Sequence, residues 1–94
     1  MINYKELENL ITKIFAEVDI MDLILVGCPQ DEYSYEAKCV TKYIMLAEVL
    51  SMERIVEGIQ EAFMKSFMTQ VDMDLCEQIA ECILENIEEL RIWL

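Results

Sequence analysis

Apolar residues recur along this chain at steps of three and four. Tyr4, Leu7, Leu10, Ile11, Ile14, Phe15 and Val18 fall on one face of a helix spanning about 4–18. Asp19 is placed to cap a short turn through Ile20, Met21 and Asp22, ahead of the apolar run Leu23–Val26. Gly27 and Pro29 break any regular element there, and no other segment offers that run a strand partner, so it is expected to plug the end of the core as a turn or short helix. A second helix, capped by Asp31 or Ser34, carries Tyr33, Val40, Tyr43, Ile44 and Ala47 to about Leu50. Ser51 is expected to cap a third, with Ile55, Ile59, Ala62, Phe63 and Phe67 inward. Its interior Gly58 weakens the helix by about 1 kcal/mol relative to alanine, which points to a close helix contact. After the turn MTQVDMD, the D-x-x-E pair Asp74 and Glu77 heads a fourth helix with Leu75, Ile79, Cys82, Ile83, Ile87 and Leu90 inward. The pattern predicts an all-α fold: one domain over 1–94, a compact bundle of about four helices, antiparallel neighbours, and a short apolar helix or turn between the first two.

Charge changes the picture most. Seven basic side chains stand against 19 acidic ones, with no histidine, for a net charge of −12. Such a field repels nucleic acid and anionic membranes and attracts basic proteins or divalent cations. An apolar fraction of 55% sets the acidity on a folded body rather than a disordered tail. No apolar run is long enough to cross a bilayer and MINYKELENL lacks the features of a signal peptide, so a cytoplasmic protein is expected. Cys28, Cys39, Cys76 and Cys82 are then reduced thiols without paired C-x-x-C spacing, read as buried free cysteines rather than metal ligands.

Catalysis is poorly served. Without histidine the usual general base and nucleophile activator are missing. Ser34, Ser51 and Ser66 have ordinary roles as caps or surface residues, and no glycine-rich phosphate loop occurs. A calcium loop counted from Asp72 puts Glu77 where glycine is needed and Ile83 where glutamate is needed. No catalytic residue, metal or cofactor is therefore expected. The acyl carrier proteins are small, acidic and helical, with a prosthetic arm on a serine opening the second helix; Ser34 is loosely similar, but Tyr33 and Tyr35 flank it where that family has D-S-L.

Glutamates four apart form stripes: Glu53, Glu57 and Glu61 on the third helix, and Glu77, Glu81, Glu85 and Glu89, with Glu88 alongside, on the fourth. Like charges at that spacing cost about 0.2–0.5 kcal/mol per pair, and the pairs Glu61–Lys65 and Glu88–Arg91 return only part of it. A charged stripe is either a solvated face or a surface shaped to receive a basic partner, and the tolerated self-repulsion is the argument for the second. Met45, Met64, Met68 and Met73 are read as core filler. Tyr33 and Tyr35, among Asp31, Glu32 and Glu36, suit the gripping of lysine and arginine stems; alternatively Tyr33 packs under the loop and only Tyr35 is exposed.

VDIM (18–21) followed by DEYSYE (31–36) resembles a small helical family of uncharacterised bacterial proteins with the pattern W-D-P, a short loop, then D-E-Y and a further acid. Asp19, Asp31, Glu32, Tyr33 and Glu36 match it, while Val18 and Ile20 depart from its tryptophan and proline; SMERIVEGIQEAF and LCEQIAECIL fit its later layout. The resemblance implies a helical fold, a capping aspartate and no established activity. By type, the chain is similar to the immunity proteins of contact-dependent growth inhibition and related toxin systems, in which an acidic domain occludes a basic nuclease site. The expected function is thus a non-enzymatic immunity protein bound to a basic toxin domain through Asp31, Glu32, Tyr35 and Glu36, then Glu53, Glu57 and Glu61, with the fourth-helix stripe a solvated face. A general interaction module, as a homodimer through surplus apolar surface, and a carrier protein using Ser34 are the alternatives.

Overall fold

The computed structural model describes residues 3–29 and 31–92, with side chains through Glu88. Helix α1, Tyr4–Val18, starts where the Asn3 carboxamide oxygen accepts from the amides of Lys5 (2.8 Å) and Glu6 (3.2 Å). It buries Leu7, Ile11, Ile14 and Phe15 and ends at Asp19, whose left-handed backbone (φ 52°) lets its N–H bond the Phe15 carbonyl at 2.7 Å. The turns over 19–27 follow. Leu23 and Ile24 pack against the core, but Leu25 and Val26 are exposed, so only the first half of the apolar run acts as the expected plug. Gly27 closes this stretch at φ 109°, a conformation that a side chain would strain.

Helix α2, Ser34–Met45, buries Ala37, Val40 and Ile44 together with Glu36 and Thr41. Neither Asp31 nor Ser34 caps it: the N-cap position is Tyr33, with no side-chain cap bond. Its entry is held instead by the buried Tyr33 ring. The helix also stops five residues short of Leu50. Its apolar face ends at Ile44, the chain tightens through an Ala47 N–H bond to the Ile44 carbonyl (3.1 Å), and Leu46 and Val49 stand exposed.

Helix α3, Met52–Phe67, begins with the Ser51 hydroxyl accepting from the Arg54 amide at 3.2 Å and buries Ile55, Gly58, Ile59, Ala62 and Phe63. Gly58 does serve a close contact: a Cβ there would lie 2.9 Å from Tyr43 Cδ1. Residues 68–72 then fold back along α3. Gln60 donates to the Val71 carbonyl (2.7 Å) and accepts from its amide (2.9 Å), and the Cys76 thiol faces the Val56 carbonyl at 3.7 Å. Helix α4, Met73–Ile92, therefore starts beside the first half of α3 rather than at its end. Its cap is Asp72, which accepts from the Leu75 amide at 3.2 Å. Asp74, the expected cap, lies exposed in the first turn. Leu90 and Glu89 lie outside the described side chains.

The described residues thus form a four-helix bundle in which α2 and α4 each pack on both α1 and α3. Contacts of Glu36 with Ser66 and of Tyr43 with Glu57 show α2 and α3 antiparallel. At the centre Phe63 meets Phe15 edge-on (5.4 Å), Tyr33 (6.0 Å) and Phe67 (5.7 Å). Isoleucines make up most of the remainder, with Leu7, Val40, Val71 and small residues between them, and Met45, Met64, Met68 and Met73 are all exposed, a correction to their reading as core filler. Their positions fall beside the inward stripe rather than on it, as Met64 does next to Phe63. Among the described residues no helix is long and apolar enough to cross a membrane.

Candidate functional site

Two surfaces gather the candidate side chains. The first is the corner from Asp19 to Glu36. Asp19 accepts from the amides of Ile24 (3.1 Å) and Leu25 (2.9 Å) and from the Tyr33 hydroxyl (2.6 Å), which in turn accepts from Met21 (2.9 Å) and Leu23 (3.4 Å). Partial burial works to raise the Asp19 carboxyl, but the hydrogen bonds from Tyr33 and the loop amides outweigh it and hold it below the usual carboxylate value. Burial, then the bond to Asp19, pushes the Tyr33 phenol up to about 12. Tyr33 is wholly buried, so of the two open readings for this residue the packed one holds. Asp19 caps the amides of Ile24 and Leu25 rather than a turn through Asp22.

Asp31, Glu32 and Tyr35 are exposed on the outside of this corner, Tyr35 by 61%. Glu36 is not. It is 4% exposed and turned inward, its Oε2 accepting from the Ser66 hydroxyl of α3 at 2.8 Å while its Oε1 has no protein partner. Glu36 therefore ties α2 to α3 and is corrected from a partner contact to a buried strut. Ser34 is exposed between Tyr33 and Tyr35 at the opening of α2.

The second surface is the α3 ridge. Glu53, Glu57 and Glu61 are exposed along it. Tyr43 of α2 donates to Glu57 at 3.0 Å, with the Arg54 guanidinium 3.9 Å over the Tyr43 ring; the bond to Glu57, then desolvation, raises the Tyr43 phenol. Glu61 pairs with Lys65 at 3.7 Å, as the i,i+4 spacing predicts. The corner and the ridge's start do not meet. Ser66, which holds Glu36, is 13 residues beyond Glu53, roughly 20 Å along the axis at about 1.5 Å per residue.

The fold instead joins Glu53 and Glu57 to Glu77 of α4. With Met52, Val56 and Met73 they line an open groove of about 430 Å³ between α3 and α4. A second cavity of about 290 Å³, between α2 and α3, is lined by Cys39, Lys42, Tyr43, Leu46, Gly58, Glu61, Ala62 and Lys65 and mixes both signs of charge. Sequence reading missed the first groove. The four-residue stripes were visible, but Glu77 reaches Glu53 only because residues 68–72 fold back, and Gln60 gives no sign of that by itself.

Among the described residues, no three acidic, cysteine or histidine side chains converge as metal ligands do. All four cysteines are free; Cys76 is buried, and burial, then Glu77, pushes its thiol up to about 11. Cys28, Cys39 and Cys82 are only half-buried. Comparison with known family models, with characterised proteins and with solved structures gives no match. Fold and surface chemistry alone define the class, an acidic four-helix bundle.

Proposed function

We propose that the chain is a toxin-neutralising immunity protein: a non-enzymatic, cytoplasmic, acidic helical domain that binds a basic antibacterial toxin domain and occludes its active site. The toxin domain is taken to be a nuclease, whose site for phosphates is cationic. One observation carries this reading. The acidic surface is left unneutralised: with net charge −12, the ion pairs among the described residues are two, Lys5–Glu8 at 3.8 Å and Lys65–Glu61 at 3.7 Å. Exposed carboxylates with no internal cation are free to stand where a nuclease holds phosphate oxygens, and their long-range field steers the encounter. Blocking a site in this way requires shape and charge and no reacting group.

The exposed apolar residues Leu25, Val26, Leu46 and Val49 favour a second reading, a general interaction module that pairs with itself. The test is co-purification of the protein encoded beside this one, followed by assay of its nuclease activity with and without the bound chain. Capture of a basic nuclease whose activity the chain suppresses supports the proposal. A chain that leaves every basic neighbour unbound and sediments as a dimer at any ionic strength supports the second reading.

A further inference from the structure

The groove between α3 and α4 has an apolar floor and a rim of one sign. Met52, Val56 and Met73 form the floor, and Met73 keeps half its surface open to solvent. Glu53, Glu57 and Glu77 form the rim, the Glu57 carboxylate also accepting from Tyr43 of α2 at 3.0 Å, and no cation is among the lining residues. Thioethers are adaptable at binding surfaces because they repack around differently shaped partners. Glu53 and Glu57 are one turn apart, about 6 Å along the axis, which is the spacing at which a second helix presents its own side chains. The α2–α3 cavity offers no such discrimination, since Lys42 and Lys65 sit in it with Glu61.

We infer that this groove seats a basic amphipathic helix of the partner, with one apolar side chain on the methionine floor and lysines or arginines one turn apart against Glu53, Glu57 and Glu77. A second copy of this chain is disfavoured as the occupant, because it would bring two such carboxylate rims together at net charge −12 each. The inference rests on the basic-partner reading above and adds to it the surface used and the chemistry that fills it.

The test uses the full chain and two labelled synthetic helical peptides, one of leucine and lysine with lysines one turn apart, the other with glutamate in place of lysine, read by fluorescence anisotropy. The lysine peptide binds and the glutamate peptide does not. Met73→Gln weakens binding about fivefold, since a half-exposed methionine contributes only part of its full burial. The triple change Glu53→Gln, Glu57→Gln and Glu77→Gln weakens it at least about tenfold, each exposed charge pair contributing modestly. Glu81→Gln with Glu85→Gln, outside the groove, changes it less than about twofold. Circular dichroism confirms that each variant folds. If the paired change at Glu81 and Glu85 weakens binding as much as the triple while Met73→Gln has no effect, charge acts diffusely; the groove is overturned and the basic-partner reading stands. A wild-type chain that binds both peptides alike, or neither, overturns the groove and removes the electrostatic support for that reading as well.

Discussion

Glu81 sits between Glu77 and Glu85 on the exposed face of α4, four residues from each. Replacing it with lysine turns two repulsive pairs into two attractive ones. At about 0.2–0.5 kcal/mol for each repulsion removed and each attraction gained, the change is worth about 0.8–2 kcal/mol. The new pair with Glu85 has its lysine N-terminal to its glutamate, the weaker orientation, which favours the lower half of that range. For a domain of this size each kcal/mol moves Tm by about 4–8 °C, so a rise of at least about 3 °C is expected at low ionic strength. Because the site is exposed, the gain shrinks as the Debye length falls from about 10 Å at 0.1 M salt to about 3 Å at 1 M. Glu81→Gln isolates the repulsion and gives about half the effect. The assay is thermal unfolding followed by circular dichroism at the two salt concentrations. A Glu81→Lys protein no more stable than wild type at low salt refutes the claim that glutamates four apart on this bundle are held at an energetic disadvantage, and removes tolerated self-repulsion as an argument for a basic partner.

Three further outcomes follow from the packing. Tyr33→Phe removes one donated and two accepted hydrogen bonds at the Asp19 corner and lowers stability by about 1–3 kcal/mol in urea unfolding. The same pair sets two pH limits: Asp19, with its folded pKa depressed, contributes stability that is lost as pH falls through that value, whereas Tyr33 contributes stability complete below pH 10 and lost as pH rises toward about 12. The Tyr33→Phe protein therefore lacks the alkaline loss attributable to this residue. Ser66→Ala leaves the buried Glu36 carboxylate without its one protein donor and costs about 1–3 kcal/mol, while partner affinity, measured on the folded fraction, stays unchanged. Gly58→Ala gains about 1 kcal/mol of helix propensity but drives a Cβ into Tyr43 at 2.9 Å, against the near side of its ring; overpacking of about 1–3 kcal/mol dominates, and calorimetry finds the variant destabilised.

Helices α1 and α3 were legible because their inward residues, and for α3 its cap, are local signals: the stripe Leu7, Ile11, Ile14, Phe15 and the Ser51 cap need no knowledge of the rest of the chain. The four-helix architecture follows from the same periodicity. What escaped depends on tertiary partners. Asp72 rather than Asp74 caps α4 because Val71 is pinned by Gln60, which fixes where the helix turns in. Glu36 looks like one more surface acid in DEYSYE until Ser66 of α3 receives it. Tyr33 belongs to the same apolar stripe as Val40, yet its hydroxyl needed Asp19, 14 residues away, to be buried in comfort. The methionines were misplaced because hydrophobicity alone does not say on which side of a stripe a residue falls. The acidic ridge was visible as Glu53, Glu57 and Glu61, but its pairing with Glu77 into a groove was a property of the fold-back alone.

On the proposed reading, charge draws a cationic partner to this surface. The most direct measurement is the association rate of the chain with its co-purified partner, by stopped flow, between about 0.1 and 1 M salt. A steered encounter predicts a rate that falls at least about tenfold across that range. A rate indifferent to salt, with a complex that persists unchanged, contradicts it.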